Sequence, residues 1–179
     1  MKFDAKAAKK RAKKRFAAIE KSQVQGLNRT ADGLRSYLSK KGGPIKDELN
    51  IKDSSIRKRI AVLKASKGNK VAKVRIAGKP VPIIEAAARQ TKKGVTVKVK
   101  GQGERKLIKG AFIAVMPTGH RGVFTRKGSK RLPIEEKYTT TVVQAVRGHG
   151  VARLITREKT RRYRKEYRAA LKHNMSNVV

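Results

Sequence analysis

The chain has 179 residues, 38% hydrophobic and 4% aromatic, enough for one domain with a modest core. Its 48 Lys and Arg against 12 Asp and Glu leave a formal charge of +36. Self-repulsion on that scale disfavours an isolated compact monomer and points to a polyanion or an acidic protein surface as partner, nucleic acid first. The lack of cysteine excludes disulfides, zinc–thiolate sites and thiol nucleophiles. No stretch approaches the about 18 apolar residues of a membrane helix, so no membrane partner is expected. The start, MKFDAKAAKKRAKKRF, has no apolar segment behind its charges, unlike a secretory leader.

Residues 4–40 predict one long helix. Ala5, Ala8, Ala12, Phe16 and Ile19 recur at helical spacing, and Leu27, Ala31, Leu34 and Leu38 continue the stripe. Its first turns bury mainly alanine and are expected to fray or to pack only on a partner subunit. Gly42-Gly43-Pro44 ends the helix, and Asp53 is the expected N-cap of a short helix through Ser55 to Arg59. Strand periodicity follows. Ala61–Ala65 reads as an edge strand, and Ala72, Val74 and Ile76 alternate with Lys73 and Arg75 in a second. Ile84–Arg89 allows a turn or two of helix. Val95, Val97 and Val99 alternate with Thr96, Lys98 and Lys100, the clearest strand signal in the chain. Gly101-Gln102-Gly103 turns the chain back through Lys106–Ile108 into the apolar run Ala111–Met116, a buried strand. After the turn Pro117-Thr118-Gly119-His120 comes a strand around Val123 and Phe124 running into Arg126. Leu132-Pro133-Ile134 opens the last extended piece. Phe112 and Phe124 are expected in the core.

From Thr140 to His173 the chain reads as helix again. Val143, Val146 and Leu154 share a face with Gly150, whereas Tyr163, Tyr167 and Leu171 lie about half a turn away. A kink at Gly148 and Gly150, or packing of the distal half on another subunit, reconciles the two stripes. The fold class expected is α+β: a small, mostly antiparallel sheet packed by long N-terminal and C-terminal helices. One domain spans 1–179, with 1–15 a basic helical extension and 174–179 a loose tail.

Arg157, Arg161, Arg164 and Arg168 fall on one helical face, widened by Arg162 and Lys165. Guanidinium grips phosphate or carboxylate in a bidentate fork, so this row suits a nucleic-acid backbone or an acidic neighbour. Glu158 and Glu166 offset it in part, Glu158 with Arg162 as an i, i+4 pair. A second patch, Lys6, Lys9, Lys10 and Lys13 with Lys2, presents point charges that would touch phosphates without reading sequence. Tyr163 and Tyr167 are the only aromatic pair in a basic setting and read as packing residues, which argues against recognition by base stacking.

Catalysis finds no footing. His120, His149 and His173 are scattered, with His120 read as a turn residue, so neither metal nor cofactor is expected. Glu135 and Glu136 are neighbours on an extended segment and point to opposite sides, which suits ion pairing to the basic surface better than joint acid–base work. Asp47 and Glu48 are the other paired carboxylates. Gly101-Gln102-Gly103 lacks the Lys-Ser/Thr ending of a phosphate loop. No nucleophile, base and orienting group assemble, and the protein is read as not an enzyme.

The block AFIAVMPTGHRGVFTRKGSKRLPIEEKY, Ala111–Tyr138, combines an AF-aliphatic-A strand, a G-x-x-G-V-F-x-R hairpin and an LPI-E-x-Y segment. Together with Gln25–Ala31, Val81-Pro82-Ile83 and Gly94–Val99, it resembles the minor tail protein Z family of tailed bacteriophages. The resemblance runs from about residue 20 to the C-terminus. It departs from the family in its high lysine count and in Thr139-Thr140-Thr141, where relatives tend to have Gly-Pro-Ser. The resemblance implies a structural virion protein that completes the tail and forms part of the head–tail (neck) connector through which DNA passes. It implies a ring of copies, a hexamer favoured. Tail-terminator and connector proteins would be neighbours, and double-stranded DNA would be met without sequence preference. The protein would be made in the bacterial host cytoplasm and built into the tail or neck. A free basic nucleic-acid-binding protein, ribosome-associated or DNA-packaging, is the alternative, and self-assembly separates the two.

Overall fold

Helix α1 runs unbroken from Ala5 to Ser39 in a computed structural model that describes residues 4–101, 103–147 and 150–178, with Asp47 described by its backbone alone. Lys2, Gln102, Gly148 and His149, all invoked above, lie outside the described residues. Asp4 caps the helix, its Oδ1 accepting the Lys6 and Ala7 N–H groups at 3.0 and 3.1 Å. The first turns, expected to fray or to await a partner, are therefore helical. Their Ala5 and Ala12 are exposed.

Residues cluster into two interleaved units. One comprises the chain up to Arg35, Val62–Arg75, and the chain from Arg153 on; the other comprises Ser36–Ala61 and Ile76–Ala152.

In the first, α1 packs antiparallel to α5, Val151–Ser176. The buried line on α1, from Ala18 through Ser22, Gly26 and Thr30 to Leu34, steps every four residues. Small residues there admit the second helix closely: a Cβ on Gly26 would stand 3.0 Å from Tyr167 Cα. The buried hydroxyls are satisfied within the helix, Ser22 Oγ donating to Ala18 O and Thr30 Oγ1 to Gly26 O, each at 2.6 Å. Phe16, expected on the apolar stripe, is instead 69% exposed. It lies two residues before Ala18, about 200° around the axis, and so faces away from the buried line. The C-terminal end also differs from the loose tail expected over 174–179. Helix continues to Ser176, because buried Asn174 donates through Nδ2 to Ser22 Oγ and Gln25 Oε1, both at 2.9 Å.

In the second unit, α1 ends before the Gly42-Gly43-Pro44 turn, and Pro44 opens α2, Pro44–Glu48, where its missing N–H costs nothing. Helix α3 spans Asp53–Lys58 with Lys52, not Asp53, at the N-cap. Asp53 sits one position inside and pairs with Lys46 Nζ at 2.8 Å, still favourably placed at a helix N-terminus. Strands β1, Ile60–Leu63, and β2, Lys73–Ile76, pair with each other and carry the chain across the unit boundaries. Strand β3, Val81–Pro82, leads into a 3-10 turn at Ile83–Glu85. The helix foreseen at Ile84–Arg89 stops there, since Ala87 takes φ 50 and Arg89–Thr91 becomes β4.

The remaining strands are β5 (Gly94–Val97), β6 (Lys106–Lys109), β7 (Phe112–Val115), β8 (Arg121–Arg126), β9 (Ile134–Glu136) and β10 (Tyr138–Thr139). They form three small antiparallel sheets, ordered β4-β5-β6, β7-β8-β9 and β10-β3, so with β1-β2 the single sheet expected is divided into four. Strands this short, separated by glycine and proline turns, close with their nearest partners and do not extend into one ladder. The α+β class stands.

Gly94 is required where β5 meets β6: at φ +147 its Cβ would fall 2.2 Å from Ile108 O. One core cluster of this unit joins Ile83, Ala86, Val95, Val97, Ala111 and Val123, each aliphatic of valine size or more contributing about 1.5–3 kcal/mol on full burial. The apolar run Ala111–Met116 is less buried than expected, with Val115 64% exposed. Phe124 is 5% exposed, whereas Phe112 is half-buried, its ring centroid 6.2 Å from that of Phe124 and covered by the Arg126 guanidinium at 5.5 Å. The peptide Leu132–Pro133 is cis.

The last helical region is two helices, α4 at Val142–Arg147 and α5. Thr141 and Gln144 fix the start of α4 reciprocally: Gln144 N–H donates to Thr141 Oγ1 at 3.1 Å and Thr141 N–H to Gln144 Oε1 at 3.0 Å, a capping box. Gly150, at φ +83, precedes α5. Leu154, assigned to the face of Val143 and Val146, is instead 47% exposed.

Candidate nucleic-acid interface

One face of α5 carries guanidiniums at nearly every turn. Arg153, Arg157, Arg161, Arg164 and Arg168, with Thr156, Thr160 and Lys165, line an open trough that contains no apolar side chain. From Arg153 to Arg168 the row rises about 22 Å along the axis. The opposite side of the helix, where Ala170 and Asn174 are buried, holds it to α1, so the arginines point outward as a consequence of the packing.

Arg153 extends the ladder by one turn and was missed in the sequence, although it stands four residues before Arg157. Arg162, grouped with the ladder above, is turned aside. It is half-buried toward α1, where a Cβ on Gly33 would come within 2.8 Å of its Nη1. Glu158 organises this edge. Its carboxylate accepts from Arg161 Nε and Nη2, each at 2.9 Å, and from Arg162 Nε at 2.6 Å. The Arg161 hydrogen bonds, joined by that of Arg162, hold the Glu158 carboxyl below its ordinary range despite an opposing effect of burial. Arg161 is thus oriented by an acid, while Arg157, Arg164, Lys165 and Arg168 stand exposed along the row.

Lys6, Lys9, Lys10 and Lys13 are exposed on α1, in the same unit as the arginine row. Tyr163 and Tyr167, read as packing residues, are half-buried and stack at 5.8 Å between centroids. They offer no platform to an unstacked base.

Glu135 and Glu136 also hold partners. Glu135 pairs with Lys137 at 3.1 Å and lies near Lys127 at 3.8 Å, and the Lys137 hydrogen bond leads the lowering of its carboxyl pKa. Glu136 points the other way and takes His120 Nε2 at 2.9 Å and Tyr138 Oη at 2.6 Å, the latter raising the Tyr138 pKa. His120 is therefore more than a turn residue: it anchors the hairpin tip to Glu136. His173 is exposed on α5. Among the described residues no group of His, Cys, Asp and Glu is arranged to hold a metal ion, and no helix is long and apolar enough to cross a membrane.

The family model described as Prophage minor tail protein Z (GPZ) matches residues 6–179. No curated protein and no solved structure matches the chain. The match takes in the AF strand β7, the hairpin strand β8, the LPI segment before β9 and the arginine face of α5. The chain belongs to the prophage minor tail protein Z family, the minor tail proteins of bacteriophages.

Proposed function

We propose that this minor tail protein completes the tail and forms part of the neck connector, as a ring of copies beside tail-terminator and connector proteins, with the α5 arginine row against the DNA that passes. It acts as a structural element and carries no catalytic step. The observation that carries the reading is the trough of Arg153, Arg157, Arg161, Arg164 and Arg168, free of apolar side chains. Protein interfaces concentrate apolar and aromatic groups at their centre and deplete charge there. A face of guanidiniums and threonine hydroxyls suits phosphate oxygens instead, and without aromatics it suits a duplex backbone over splayed bases. Such contacts are blind to sequence and exchange one phosphate for the next, as a moving duplex requires. The lysines of α1, Lys6, Lys9, Lys10 and Lys13, add to the field without planar grip.

The test uses tails assembled in a host that makes every phage protein except this one. Adding the purified protein is expected to restore head joining, with extra density of rotational symmetry at the head-proximal end by negative-stain microscopy. A protein that stays monomeric, ignores the tails and binds DNA in solution would overturn the connector role in favour of a free nucleic-acid-binding protein.

A further inference from the structure

We propose that the N-terminal half of α1 is a docking arm that inserts Phe16 into an apolar pocket of an acidic tail protein. Phe16 is 69% exposed, and with Ala8, Ala12 and half-buried Ile19 it lines a shallow apolar groove flanked by Arg11 and Arg15. The helix is capped and regular here, so the ring is presented on a rigid support and costs little ordering on binding. Exposed aromatics with arginine beside them are the usual anchors of protein interfaces.

Charge names the occupant. Between Asp4 and Glu20 the segment holds Lys6, Lys9, Lys10, Arg11, Lys13, Lys14 and Arg15 and no acid. Seven cations around one exposed ring favour a pocket rimmed by carboxylates, so the occupant is an acidic protein. The proposal rests on the tail role and adds to it the surface that holds the protein there.

The experiment measures co-sedimentation of the full chain with tails assembled without it, alongside duplex DNA binding and binding to anionic phosphatidylserine vesicles. F16A is expected to weaken tail binding at least tenfold, to keep duplex affinity within twofold and to leave the thermal melt unchanged. R11E/R15E is expected to weaken tail binding similarly. Tail binding by F16A equal to that of the unsubstituted chain would overturn the docking arm and leave the tail role standing. So would a lowered melting temperature, which would make Phe16 a core residue, or a loss confined to vesicles, which would make the arm a membrane-surface helix. Failure of the unsubstituted chain to bind tails would overturn the tail role and the arm together.

Discussion

Two phenylalanines facing each other across one strand pair differ in what they contribute. Phe112 and Phe124 are register partners on β7 and β8, but Phe124 is 5% exposed and Phe112 is half-buried under Arg126. Phe124→Ala should cost about 3–5 kcal/mol through lost transfer energy and a residual cavity. Phe112→Ala should cost about half of that, since its site is already partly solvated. Urea unfolding of both variants measures the difference; equal losses would place Phe112 as deep as Phe124. Glu158 gives a prediction in pH. Its folded pKa is depressed by Arg161 and Arg162, so its stabilisation is present above the unfolded value of about 4.3 and is lost as pH falls through the lower folded value. The melting temperature of E158Q should therefore depend less on acid below about pH 4.3 than that of the parent. Identical acid profiles would show that the Glu158 pairs contribute nothing to folding.

Helices and strands were legible in the sequence to different depths. The end of α1 was readable because Gly42-Gly43-Pro44 leaves no alternative, and β5 because Val95 and Val97 alternate with Thr96. The change of phase along the last helical region left open either a kink at Gly148 and Gly150 or packing on another subunit, and it did not foresee two helices, α4 and α5. Periodicity also found the arginine row, yet it could not tell Arg161 from Arg162, both within reach of Glu158. It put Phe16 on the apolar stripe because helical spacing marks a stripe without saying where the neighbouring helix covers it. It released the segment after His173 because Asn174 looks polar until Ser22 and Gln25 are seen beside it. Partition into four sheets was not readable, since periodicity marks strands without saying where one ladder stops, and the β10-β3 pair joins segments distant in sequence. For α5 the expectation is direct. Changing Arg157, Arg161, Arg164 and Arg168 together to Gln should leave helix content unchanged by circular dichroism. It should also make the slope of log K against log salt for duplex binding shallower by about 0.9 for each phosphate no longer neutralised. Unfolding of this variant would make the row an internal scaffold of ion pairs.

At the level of the molecule, a charge of +36 makes any DNA contact a matter of ion release. If about six phosphates are neutralised, log K should fall against log salt with a slope of about −5, alike for unrelated duplexes. A flat salt response would remove DNA as the reason for the charge, and preference for one sequence would count against a connector.

The interleaving of the two units also sets an order in time. As the chain leaves the ribosome, the residues of the sheet-bearing unit are all synthesised once Ala152 has been made, whereas the helical unit waits for everything from Arg153 on. The small-residue line of α1 around Gly26 stays uncovered until α5 arrives. The helix that closes that unit is the same one that bears the guanidinium row. A product cut short at Ala152 would have its strands yet neither a covered α1 nor the guanidinium row, so the last element made completes both.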